Sequence, residues 1–363
     1  MVKGRPVPFS FWPMYRGERR FGLQSVLLVR DPWTVMRDAV ESRCPKDART
    51  EAHACLEQAK DFYSSAMSAN VAAARPLQLY YCFLNLAKTL ALTNAVVKTL
   101  NWAHHGLRET PGGNPLVDDC LEVVHRGNRP LVFDLLHRAI TASPVPASVT
   151  TLSLQFLLPQ ILPGHRLWAA AADREVERFV RVHDLRFMDD DQKNLWLRAY
   201  VVADDLTRLG ATRKGCLAAA RLTGLFRAVD CNETVDGRRL NCFEQIRPSS
   251  YGDRPSDRMP SLVEKLKSNL WVTVASTPPY RHYYLYMAPD SERSAVLPQL
   301  LSVYSVMFYL GSITRYRPQV FDQILKTPFG ALIEEFIAGQ PTQFIYLMAS
   351  EFAKREVTQP AIV

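Results

Sequence analysis

The chain has 363 residues, 47% of them hydrophobic and 22% charged, which are values of a folded chain with ample material for a core and exclude a disordered one. Its formal net charge is +8, with six basic residues against one acid in residues 1–30. Seven cysteines, an odd number with irregular spacing and no CxxC pair, argue against a disulfide framework and for reduced thiols in the cytosol.

The first thirty residues form a basic arm in which Arg16, Arg19 and Arg20 are interleaved with Phe9, Phe11, Trp12 and Tyr15. Two readings stand: the arm contacts phosphate on nucleic acid or lipid headgroups, or it is a solvated edge whose aromatics pack on the core. No apolar stretch followed by a small-residue cleavage site opens the chain, so a cytoplasmic location is expected. Asp31-Pro32-Trp33 then places a capping carboxylate before a proline in the first helical turn. The pattern predicts a helix to about Arg43, a break at Pro45, a longer helix over 47–69 and a third starting at Pro76. "HHGLRETPGGNP", 104–115, reads as a loop by its glycine and proline content, and "RPLVFDLLHRAI" returns to helix. These elements make a helical first part, 1–146.

The second part, 147–290, opens with an apolar helical run ended by prolines and then turns strand-like. "LWLRAYVVADDL" alternates with period two, and "LFRAVD", "RLNCFEQI", "LWVTVAST" and "HYYLYMAP" are similar short runs. Asp236-Gly237 marks a hairpin turn between two of them, and 247–260 reads as a long polar loop. The third part, 291–363, is helical. Its uncharged stretch 294–314 approaches bilayer-spanning length, but Pro298, Gln299 and Gly311 favour a core helix. Two further helical runs, "FGALIEEFIAG" and "TQFIYLMASEFAKREV", follow. The expected fold is α+β and mainly α-helical: the helical N- and C-terminal parts pack together as one composite domain, with a small antiparallel β-sheet inserted.

No common catalytic arrangement occurs. GxxxxGK[ST], GxSxG, HExxH and paired-cysteine zinc patterns are all missing, so no catalytic residue, metal or cofactor is assigned. Arg178-x4-His183 has the spacing of HEPN-class ribonucleases, in which the arginine steadies phosphate charge and the histidine performs acid–base work. Here the stretch lies at the edge of the strand-like region, and it is kept as an alternative.

The stretch "ARPLQLYYCFLNLAKTLAL", 74–92, raises the main question. On a helix, Tyr81, Asn85 and Lys88 share one face and interrupt an otherwise apolar element. A buried Asn and Lys need partners, so an acidic or carbonyl-rich surface should face the stripe. A polar network between helices and a binding site both account for it.

The same residues resemble the YaaC-like family. The resemblance lies in "ARPLQLYYCFLNLAK" from Arg75, in "HHGL" with His105, and in "MFYLGSITRYRP", which carries Arg315, Tyr316 and Arg317. It implies a helical protein with an inserted mixed region and supplies no catalytic residues. Some bacterial members are similar to sensor components of two-part antiphage systems. The expectation that follows is a non-enzymatic sensor or adaptor of antiphage defence, cytoplasmic and recruited to the membrane or infection site. It would recognise an early-infection structure of membrane or lipid character and recruit a separate effector protein encoded nearby. The binding residues would be Arg75, Tyr81, Asn85, Lys88, His105, Arg315, Tyr316 and Arg317, with Asn85, Lys88 and Arg315 meeting where the two apolar helices pack. The alternatives are an RNA-cutting enzyme and a basic nucleic-acid-binding protein.

Overall fold

A computed structural model describes residues 7–13, 26–69, 72–125, 129–162, 165–173, 178–277, 282–288 and 296–359. The fold is α+β and mainly helical, with antiparallel sheets. The chain forms two compact units, each assembled from separate segments. One comprises Arg30–Glu175 with Ser294–Ala353; the other comprises Met1–Val29, Val176–Arg293 and Lys354–Val363.

The first of these is the helical unit. Pro32–Arg43 starts where expected: the Asp31 carboxylate accepts from Trp33 N at 3.0 Å and from Thr34 Oγ1 at 3.0 Å. Arg49–Ser68 and Arg75–Thr93 follow and pack antiparallel, with Phe62 stacked on Tyr81 at 5.3 Å, Gln58 bonded to Asn85, and Thr89 reaching back to Ala52. Gln299–Tyr316 lies across Arg75–Thr93 at Gly311. A Cβ on Gly311 would sit 2.8 Å from Tyr80 Cβ and 3.3 Å from Pro76 O, so only glycine permits this approach. The two runs of the third part form one helix, Gly330–Ala353, continuous through Pro341. Proline removes one helical hydrogen bond. Burial of residues on both sides of it, including Phe344 stacked 3.8 Å from Phe83, outweighs that loss. No described helix is long and apolar enough to cross a membrane.

A three-stranded antiparallel sheet joins this unit: Leu107–Thr110, Cys120–Val123 and Thr151–Ser153. Part of 104–115, read as loop, is therefore strand. His104 and His105 precede it, held by Val132 N on His104 O (2.8 Å) and Phe133 N on His105 O (3.1 Å). Gly106 follows at φ +83°, where a side chain would also press on Phe133. The His-His-Gly sequence is thus a clamped turn.

The second unit is built on a nine-stranded sheet. Its main path runs Val274–Thr277, His282–Tyr286, Phe179–Asp189, Asn194–Val202, Arg238–Gln245, Phe226–Val229, each pair antiparallel. Asp236 and Gly237 both have positive φ and turn Thr234–Val235 into Arg238–Gln245, as a DG hairpin requires. Phe9, Phe11 and Trp12 are buried, and Phe9 N bonds Leu185 O at 2.8 Å, so this stretch of the arm packs on the sheet. Arg16, Arg19 and Arg20 lie outside the described residues. The stretch "LWVT" ends a helix, Met259–Thr273, rather than opening a strand. Its helical neighbours decide an assignment that a short apolar run leaves ambiguous. The polar loop before it holds the short strand Ser249–Ser250.

Candidate functional site

The polar stripe of Arg75–Thr93 lies against Arg49–Ser68. Asn85 is 3% exposed, and its Nδ2 donates to Gln58 Oε1 at 2.7 Å. Asn85 is therefore satisfied by a side-chain carbonyl, the amide oxygen of Gln58. Gln58 stands four residues before Phe62 in the antiparallel partner helix, and that spacing is the signal by which the pair could have been found. Arg75 turns its guanidinium onto Ala69 O, with Nη2 at 2.8 Å, and so ties off the end of the preceding helix.

Lys88 is half-buried and has no ion pair or hydrogen bond among the described residues. Its charge acts on two neighbours, Cys55 and His105. Arg315, at the end of Gln299–Tyr316, donates from Nη1 to Tyr81 Oη at 2.7 Å, and its guanidinium lies 4.9 Å from the ring of the exposed Tyr316. No carboxylate pairs with Arg315 among the described residues. His105 keeps part of its surface in water, but Tyr80 and Phe308 close in its ring at 5.6 and 6.0 Å. This desolvation lowers its pKa first; the charges of Lys88, His104 and Arg315 lower it further. Burial holds the Tyr80 phenol strongly protonated, and its hydroxyl is hydrogen-bonded to His105 Nδ1.

These groups make a face with two unneutralised cations around an uncharged imidazole. Further round, Arg129 lies 5.4 Å over the ring of Trp102, which is 76% exposed, and meets His104 Nε2 at 3.1 Å. Trp102 and Arg129 were not legible as site residues: nothing in their spacing links them to Lys88. The electrostatics suit an anion, and the exposed Trp102 and Tyr316 rings suit a partner surface. Among the described residues no group of three or more His, Cys, Asp or Glu could hold a metal ion.

Arg317 plays a different part. It forms an ion pair with Glu109 and lies 3.9 Å from Asp119. Asp119 is 1% exposed and accepts from Gly112 N at 2.6 Å, Leu116 N at 3.3 Å and the Tyr309 hydroxyl. Glu109 also accepts from Ser312 Oγ at 2.6 Å. The Arg-Tyr-Arg sequence thus splits: Arg317 neutralises two carboxylates of the small sheet, and Arg315 and Tyr316 remain at the surface. A family profile described as YaaC-like Protein matches residues 24–352. The chain belongs to the YaaC-like family. No curated protein matches it, and no solved structure does. The matched range spans every residue of the cationic face of this YaaC-like chain.

Arg178 and His183 are not brought together. Arg178 is buried just before Phe179–Asp189 and donates to the Tyr286 hydroxyl at 3.3 Å; His183 is exposed on that strand. Five residues of strand separate backbone positions by roughly 16 Å, too far for both side chains to serve one phosphate.

Proposed function

We propose that this YaaC-like chain is a non-enzymatic sensor or adaptor of a bacterial antiphage defence system. It acts in the cytoplasm, reads a phosphate-bearing early-infection structure of membrane or lipid character, and recruits a separate effector protein. The binding half of this reading is carried by one observation: Lys88 and Arg315 flank His105 with no carboxylate partner among the described residues. Arg315 is exposed and Lys88 half-buried, so water solvates both charges and both remain open to an anionic ligand. The defence half rests on resemblance. Some YaaC-like proteins are similar to sensor components of two-part antiphage systems, including those of the jumbo phage killer type.

The test is phage plating efficiency on cells carrying this gene alone, its genomic neighbour alone, and both. The expected result is phage-selective protection with both only, lost when Lys88→Met and Arg315→Gln are introduced. In a companion co-sedimentation assay, phosphatidylglycerol vesicles should retain the protein, phosphatidylcholine vesicles should not, and the double variant should bind neither. Protection by this gene alone sinks the adaptor reading. Protection that survives the double variant removes the cationic face from it. No observation favours the ribonuclease reading over this one.

A further inference from the structure

The sheet-based unit carries a second site. A cavity of about 380 Å³ opens between the end of Arg238–Gln245, the turn before Phe226–Val229, and Met259–Thr273, a size at the low end of small-ligand pockets. Its floor is apolar: Leu262 and Leu266 are 1% and 6% exposed, and Leu225 joins them. Gln245 fixes one wall. Its Oε1 accepts from Leu197 N at 3.1 Å, and its Nε2 donates to Arg247 O at 2.8 Å. Ile246 N bonds Leu225 O at 2.8 Å and holds the opposite turn. Gly224 sits on that turn at φ +84°, with open space where a Cβ would be, so a ligand can approach its backbone.

The rim is cationic. Arg247 and Lys265 both line the cavity, none of its lining residues is acidic, and neither cation has an ion pair among the described residues. The Ser249 hydroxyl stands beside them with no hydrogen-bond partner among the described residues. A floor of leucines wants an apolar body, and two cations with a hydroxyl match the charge and acceptors of a dianion better than those of a monoanion. We propose that this cavity binds a small phosphate monoester with an apolar body, the phosphate held by Arg247, Lys265 and Ser249 and the body on Leu225, Leu262 and Leu266. The volume corresponds to about a dozen waters, enough for a short alkyl or single-ring ester.

Calorimetric titration of the full chain with hexyl phosphate tests this, with hexanol, inorganic phosphate and hexanoate as comparisons. Hexyl phosphate should bind at least about tenfold more tightly than each of the others. Arg247→Gln with Lys265→Gln should reduce it to the level of hexanol; both side chains are exposed, so the variant keeps its fold. Lys193→Gln with Arg239→Gln removes the same charge from exposed positions outside the cavity and should change nothing. Lys88→Met should also leave this binding intact, which separates the site from the cationic face of the helical unit. Equal losses in the two double variants, hexanoate binding as tightly as the phosphate ester, or no advantage over inorganic phosphate would each overturn the proposal.

Discussion

Lys88 and Asn85 stand three residues apart on one helix and have opposite fates. Asn85 is enclosed and bonded to Gln58; Lys88 has no partner among the described residues. Lys88→Met should therefore leave thermal stability nearly unchanged, within about 0.5 kcal/mol, whereas Asn85→Leu loses the bond to Gln58, whose exposed amide water can take over, and should cost about 1 kcal/mol. Urea denaturation of both variants checks the contrast. His105 supplies a pH test. Its folded-state pKa lies below the ordinary 6.5, so the unfolded chain takes up the proton first. The stability this group contributes is complete above about pH 6.5 and is lost as pH falls towards the folded value. An anion between Lys88 and Arg315 opposes their charges and raises that pKa, so anion affinity should rise as pH falls through the interval between the bound and the free value. Following the His105 ring protons by NMR with and without pyrophosphate decides it; an unchanged midpoint would remove His105 from the site.

Gly311 and Arg317 decide how the elements meet. An alanine at Gly311 would gain up to about 1 kcal/mol in helix propensity. The 2.8 Å approach to Tyr80 Cβ must then open, at about 1–3 kcal/mol for overpacking, so Gly311→Ala should be net destabilising and should disturb Tyr81 and Arg315 with it. A lower melting temperature together with weaker anion binding is the expected pair of results. Asp119 is the other joint. Removing it as Asp119→Ala leaves the Tyr309 hydroxyl and two backbone N–H groups without their acceptor and should cost about 3 kcal/mol or more, measured as a shift in denaturant midpoint. Arg317→Gln should cost a comparable amount, because it leaves the largely buried Glu109 and Asp119 carboxylates without their cation.

Across the whole chain, burial governs the cysteines. All seven are free, and Cys44, Cys82, Cys216 and Cys242 are buried. Burial pushes Cys216 up to about 11 and Cys242 up to about 12; because the thiolate is the reacting form, these sites should resist iodoacetamide at pH 8 until the chain unfolds. The half-buried Cys55, Cys120 and Cys231 should label before them, as peptide mass spectrometry would show; early labelling of Cys242 would contradict the packing of its sheet. At the same scale, the chain leaves the helical unit after Glu175, returns to it at Ser294, and leaves again after Ala353. Residues 147–175, which read with the strand-rich middle, cluster with the helices because Gln160 accepts from Leu297 N at 3.1 Å and Trp168 stacks on Phe329 at 5.0 Å.

Local chemistry was sufficient wherever an element carries its own signal. The Asp31 cap, the Pro45 break, the Asp236-Gly237 hairpin, the apolar core helix at Gln299–Tyr316 and the α+β class were all legible, because caps, turns and periodicity act over a few residues. The family motifs around Asn85, Lys88 and Arg315 marked where to look. Tertiary structure alone assigned the partners: Gln58 to Asn85, Glu109 and Asp119 to Arg317, and none among the described residues to Lys88. Pairing across tens to hundreds of residues depends on how helices cross and which faces they bury, and a one-dimensional pattern does not encode that crossing. For the same reason, two arginines separated by a single tyrosine were indistinguishable in the sequence, while in the fold one is spent on buried carboxylates and the other is left for a ligand.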